Sequence, residues 1–228
     1  MMAAPALLPH LGLHPASDFS PVIKLSTSYN VLVTTPSLPV KTLPELVDIL
    51  RSQPGKYNFS SAGFGTPAHL IGEMFKLKTG VKATHIPYQQ GQQRLGDLMN
   101  GTIQFDFIAT LSAIDFIATN KLRAIAVTLP KRIAVLENVP SVLEQGFPDL
   151  VVEDWVGLVV RSGTSKEIIA RLYETIGRAL AKPKVRESFA KLGAEPQGGT
   201  STDFGNFITD QSALWTDVVT GSGIKLTQ

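Results

Sequence analysis

The sequence predicts an α/β fold built on a mostly parallel sheet, and three observations carry that prediction. Strand-like and helix-like segments alternate from Tyr57 to Thr128, an order that lays helices over both faces of parallel strands. Gly80 and Gly101 stand where the helical patterns before them end and a left-handed residue is wanted. The chain has 228 residues, 43% hydrophobic and 18% charged, which is enough for a real core in one large or two small domains.

In chain order, the prolines and polar residues from His14 to Pro21 read as loop, and strands are expected at Val22 to Leu25 and Tyr29 to Thr34. Thr42-Leu43-Pro44-Glu45 is a capping box. Leu46, Ile49 and Leu50 then give its helix an apolar stripe until Pro54-Gly55 stops it. A buried strand starts at Tyr57, and Leu70, Ile71, Met74, Phe75 and Leu77 recur at helical spacing before Gly80. Val81 to Ile86 reads as a strand, Gln92 to Met99 as a helix, and Ile103 to Ile108 as a strand. Ser112 to Thr119 is helical in pattern, and Leu122 to Thr128 is again a strand. A short helix is expected at Ser141 to Gln145 and a long strand at Val151 to Val160. Thr164-Ser165-Lys166-Glu167 reads as a second capping box, opening an amphipathic helix that lasts to Pro183. A further helix runs from Val185 to Leu192, and the last starts near Ser201-Thr202-Asp203.

Between the strand at Tyr57 and the helix after it lies Ser60-Ser61-Ala62-Gly63-Phe64-Gly65-Thr66-Pro67. Gly63 and Gly65 free the backbone, and Thr66-Pro67 is a helix-start pair. A helix N-terminus leaves unpaired N–H donors and carries roughly half a positive charge, so this loop suits a carboxylate or phosphate without any Lys or Arg. The alternative is a strand-to-helix turn in which the glycines only relieve strain and Thr66 only caps.

Composition excludes several classes. A net charge of +2, from 21 basic and 19 acidic residues, gives no basic stripe with interleaved aromatics, so no nucleic-acid partner is expected. With no cysteine, disulfides, thiolate metal sites and cysteine nucleophiles are excluded. No apolar run approaches the roughly 20 residues of a membrane span. The residues after Met1 lack a basic segment and contain Pro5 and Pro9, unlike a secretory signal. His69 and Glu73 share a helix face at the i, i+4 spacing of two metal ligands, but no third ligand follows from the sequence, and packing or capping is the reading for His69. No H-E-x-x-H, G-x-S-x-G or G-x-x-x-x-G-K-[ST] pattern is present, so neither an enzyme nor a cofactor is expected.

Several separated segments are similar to one family, in order and in spacing. They are Asn30 to Lys41, Tyr57 to Leu70 with its Ser61-Ala62-Gly63-x-Gly65 core, His85-Ile86-Pro87-Tyr88, Gly101-Thr102-Ile103-Gln104, Lys121 to Thr128, Val139-Pro140-Ser141-Val142 and Trp155-Val156-Gly157-Leu158. Together they resemble the Bug (TctC-like) family, the extracytoplasmic solute-binding receptors of tripartite tricarboxylate transporters. The resemblance implies a type II periplasmic-binding-protein fold with two lobes that close over a small carboxylate. It also implies a periplasmic location and membrane permease subunits as partners. It carries Ser61, Ala62, Gly63, Gly65 and Thr66 over as amide and hydroxyl donors to the ligand, with Tyr88 and Thr110 shaping the pocket wall.

The expected division is residues 1–35 in part of one lobe, 36–150 as the second lobe, and 151–228 as a crossover strand and C-terminal helices returning to the first. Family members open with a signal peptide, a strand and a Pro-Gly-Gly-rich loop. These are missing upstream of Met1, so the first lobe is expected to be incomplete and to leave apolar helix stripes uncovered at 165–181 and 203–219. Relatives often carry an Asp-Asn pair where Ile108-Ala109 stands here, which would leave polar contact on that turn to Thr110 or Ser112. Two other readings are a non-binding remnant of the family and, behind it, the effector-sensing domain of a transcription regulator, which would need a helix-turn-helix absent here.

Overall fold

The computed structural model describes residues 2–191 and 193–224. Its helices are α1 (Ala4–Leu7), α2 (Pro15–Asp18), α3 (Leu43–Ser52), α4 (Pro67–Thr79), α5 (Gly91–Asn100), α6 (Thr110–Ala118), α7 (Lys166–Leu180), α8 (Pro183–Lys191) and α9 (Ser201–Ser222). Its strands are β1 (Phe19–Ser28), β2 (Asn30–Thr34), β3 (Asn58–Ser61), β4 (Thr84–Pro87), β5 (Phe105–Ala109), β6 (Arg123–Val127), β7 (Asp154–Arg161) and β8 (Ala194–Gly198). The chain forms two compact units, residues 29–153 and residues 1–28 with 154–228.

In the unit of residues 29–153 the strand order is β4-β3-β5-β2-β6. β3 runs parallel to β4 and β5, while β2 is antiparallel to both β5 and β6. Four strands therefore point one way with β2 reversed among them. β2 was assigned by sequence to the other lobe, yet it is an inner strand here, all five of its residues buried. Its side chains alternate, with Val31 and Val33 joining the core of Leu98, Ile103, Ile108, Leu122 and Val127 on one face. The helix α4 packs against β3 and β5. Phe59 and Phe105 of those strands stack at 5.6 Å, and Phe75 of α4 meets Phe105 edge-on at 5.7 Å.

Local signals hold where they are strongest. Thr42 and Glu45 form the capping box on α3, and Gly80 and Gly101 close α4 and α5 in the left-handed conformation. β4 begins only at Thr84, because Val81 to Ala83 make no ladder with β3. Residues 141–145 form a turn instead of a helix, in which Ser141 N–H donates to Glu144 and Glu144 N–H donates back to Ser141 Oγ, at 2.7 and 3.0 Å.

The unit of residues 1–28 and 154–228 carries a three-stranded sheet, β7-β1-β8, antiparallel throughout. The expectation of parallel strands fails for this sheet because β1 lies between β7 and β8, which α7 and α8 join as a parallel pair, and runs antiparallel to both. β8 was not anticipated at all. The helix α7 is capped by Ser165, whose Oγ accepts from Ile168 N–H, and not by the box read at Thr164. Leu192, the expected end of the helix read from Val185, lies outside the described residues. The apolar stripe of α7 is only partly covered, with Ile168 53% exposed and Leu180 its one fully buried residue. On α9 the expectation of an uncovered stripe is corrected: Phe204, Ile208, Trp215, Val218 and Val219 are buried, since α9 packs on β1, α1 and α2.

Candidate functional site

β3 and β4 each lead through a short loop into a helix, and β5 runs directly into one. The connection from β3 leads through α4 to β4 on one side, while that from β5 leads through α6 to β6 on the other. Adjacent parallel strands whose connections diverge leave a crevice outside their carboxyl ends, the usual place for a ligand in such a sheet. The loop 62–66 stands at the end of β3, and Ala109-Thr110 stands at the end of β5.

The loop conformation requires its glycines. Gly63 has φ +122° and Gly65 φ +74°, backbone regions that other residues adopt at a cost. Gly63 N–H donates to Ser61 Oγ at 3.0 Å, and the hydroxyls of Ser61 and Thr66 donate to Gly63 O at 2.9 and 2.7 Å. Gly65 N–H donates to His69 Nδ1 at 3.0 Å. Thr66 occupies the N-cap position of α4, but its hydroxyl does not cap the helix. Among the described residues, the amides of Ala62, Phe64, Ala68 and His69 carry no hydrogen bond. Four donors thus remain on one loop and first helical turn that contains no Lys or Arg.

Ser61, Ala62, Gly63, Gly65 and Thr66, the donors expected from the sequence, lie on this one loop. The Ser61 and Thr66 hydroxyls, read as donors to a ligand, are committed to the Gly63 carbonyl. Tyr88 lies beside the loop, its amide donating to Ser61 O at 2.9 Å, but its hydroxyl donates to Asp97 at 2.8 Å. Burial, with Asp97 beside it, pushes the Tyr88 phenol up to about 12. Thr110 is buried, and both its amide and its hydroxyl donate to Tyr29 O, at 2.9 and 3.0 Å.

His69, read from the sequence as a packing or capping residue, supports the loop, together with His85 and Asp106, which sequence reasoning missed. His69, only 2% exposed, stacks on His85 of β4 with ring centroids 4.0 Å apart, and His85 Nε2 lies 2.7 Å from Ser61 Oγ. Phe64, 54% exposed, meets both rings edge-on at 5.4 and 5.2 Å. Burial, and secondarily Lys76, lowers His69 to about 4. Burial lowers His85 to about 3, with His69, Lys76 and Arg94 adding to the effect. Both imidazoles are therefore neutral at physiological pH. Deeper still, Asp106 is fully buried. It receives two bonds from Arg94 at 2.6 and 2.5 Å and one from Ser60 Oγ, while burial pushes its carboxyl above the usual range. Glu73, considered above as a metal partner for His69, is paired with Lys76 at 2.8 Å.

The family model of the tripartite tricarboxylate transporter family receptor (TctC) matches residues 1–224. The chain is 32% identical to protein BugT of Bordetella pertussis over 97% of its own length and 68% of that protein's. It spans 60% and 55% of two further curated relatives, from Pseudomonas and Agrobacterium vitis. Among solved structures it is similar to an R. palustris protein with adipate, at 30% identity and TM-score 0.77, over 94% of this chain and 72% of that one. It is also similar to MatC from Rhodopseudomonas palustris with bound malate, at 28% identity and TM-score 0.78, over 95% of this chain and 75% of that one. The shared fold is the two-lobed periplasmic-binding type anticipated from the sequence. By the extent of these matches, the chain belongs to the tripartite tricarboxylate transporter receptor family, the Bug or TctC-like proteins.

Proposed function

We propose that this protein is a periplasmic solute-binding receptor that takes a small carboxylate on the loop 62–66 and the first turn of α4, for the membrane permease subunits of a tripartite tricarboxylate transporter. The observation that carries the reading is the set of unbonded amides at Ala62, Phe64, Ala68 and His69, placed at a helix N-terminus and at the carboxyl end of an inner parallel strand. Charge neutralisation there rests on amides and the helix dipole, an arrangement suited to a carboxylate group. Adipate and malate in the two similar proteins are both dicarboxylates, which agrees with that chemistry.

Ser61 and Thr66 act in this reading by shaping the loop, and Gly63 and Gly65 by letting the backbone approach the ligand. Tyr88 and Thr110 contribute walls rather than donors, since their hydroxyls are engaged elsewhere. Calorimetric titration of the full chain with adipate, malate, citrate and the neutral diamide of adipic acid tests the proposal. Heat from at least one acid and none from the diamide supports it; equal heats, or none from any acid, contradict it.

A further inference from the structure

We propose that His69 and His85 are positioning residues for the carboxylate site, two stacked imidazoles whose nitrogens hold the Ser61–Thr66 loop in its ligand-accepting shape. The inference rests on the functional reading above and adds residues from outside the loop. His69 Nδ1 receives the Gly65 amide, so its proton sits on Nε2. Ser61 Oγ receives the Gly63 amide and lies 2.9 Å from Gly63 O, an atom that can only accept. With the Ser61 proton on Gly63 O, His85 donates to Ser61 Oγ through Nε2–H. That tautomer leaves the buried, unpartnered His85 Nδ1 as a lone pair instead of an orphaned N–H.

The chain of donors runs from His85 through Ser61 to Gly63 O, and in parallel from Gly65 to His69. The Gly65–His69 bond requires an uncharged His69 ring, because an added proton on Nδ1 would face the Gly65 N–H donor to donor. Two imidazolium rings at 4.0 Å would also repel. The charged groups around the pair are Glu73 and Lys76 on α4, Arg94 on α5 and Asp106 on β5; each acid is paired with one of the bases and neither bonds an imidazole nitrogen. The exposed Phe64 ring covers the edges of the stack.

Ring 15N spectra of the histidine-labelled full chain, with four variants, test the proposal. At neutral pH both rings should give the Nε2–H tautomer with no imidazolium. His69→Leu and His85→Leu should weaken adipate binding about tenfold or more, whereas His69→Asn and His85→Gln, which keep a hydrogen-bonding atom in reach, should stay within about threefold. Leucine variants that bind as the wild type, or a protonated or Nδ1–H ring at neutral pH, overturn it. If the wild type binds no acid, the functional reading fails by itself. The support is then judged by the Gly65 amide resonance, which should move in His69→Leu and hold in His69→Asn; no movement in either overturns the support.

Discussion

Gly65 donates its amide hydrogen to His69 Nδ1 across 3.0 Å, so the loop after β3 is fastened to a side chain on the helix it opens. The bond uses a loop amide that the ligand then cannot have, and it requires a left-handed glycine at φ +74°. Replacing Gly65 or Gly63 by valine is expected to disrupt the loop, because a β-branched residue at positive φ costs roughly 1–2 kcal/mol or more. Adipate affinity should drop further in Gly63→Val than in Thr66→Ala. Thr66→Ser should be close to neutral, since it keeps the hydroxyl that donates to Gly63 O. Parallel titrations of the three variants check the order.

Acid should destabilise the unit of residues 29–153 through its two histidines. Their folded values of about 4 and 3 lie below the ordinary 6.5, so the unfolded chain binds more protons as pH falls through 6.5. Stability is then full above pH 6.5 and declines from there toward pH 3. The slope approaches about 1.4 kcal/mol per pH unit for each ring. Between pH 6.5 and 5 unperturbed carboxylates contribute little, so urea unfolding of His69→Asn and His85→Gln in that range should show a flatter dependence than the wild type.

The Arg94–Asp106 pair joins α5 to an inner strand with Asp106 fully buried. Arg94→Ala leaves that carboxyl without its two guanidinium bonds and should cost about 3–5 kcal/mol. Asp106→Asn with Arg94→Gln should be milder, because it removes both charges and keeps hydrogen-bonding capacity. Denaturant midpoints of the single and double variants give the coupling.

Two glycines outside the loop are set by packing. A Cβ on Gly72 would stand 2.1 Å from the Phe59 ring, and one on Gly157 equally close to Phe204. Gly72→Ala and Gly157→Ala are each expected to destabilise by about 1–3 kcal/mol through overpacking, read as a lowered unfolding midpoint. A second change of Phe59 or Phe204 to leucine should recover part of the loss.

What was legible in the sequence is what neighbouring residues decide. The Thr42–Glu45 box, the terminating Gly80 and Gly101, and the turn at Gly63 and Gly65 are all local, and all are found. The strand Ala194–Gly198 was missed because Ala-Glu-Pro-Gln-Gly carries no strand-forming residue; pairing with Lys24 to Ser28 of β1 makes it a strand. The direction of β2 was likewise hidden, since it is decided by insertion between β5 and β6. At the site, the glycine loop was visible but its supports were not: Ser61 meets His85 across 24 residues and Ser60 meets Asp106 across 46. The hydroxyls of Ser61 and Thr66 misled in one respect, because a hydroxyl beside a glycine carbonyl satisfies the loop before it can serve a ligand.

The central claim is that the amides left unbonded by the loop are the ones that meet a carboxylate. Amide 1H–15N spectra of the full chain during titration with adipate test it most directly. The resonances of Ala62, Phe64, Ala68 and His69 should move together and saturate, with Gly63 moving less because its hydrogen already belongs to Ser61 Oγ. Saturable binding whose largest shifts lie elsewhere, with those four amides unmoved, would contradict the account and leave the loop a structural turn.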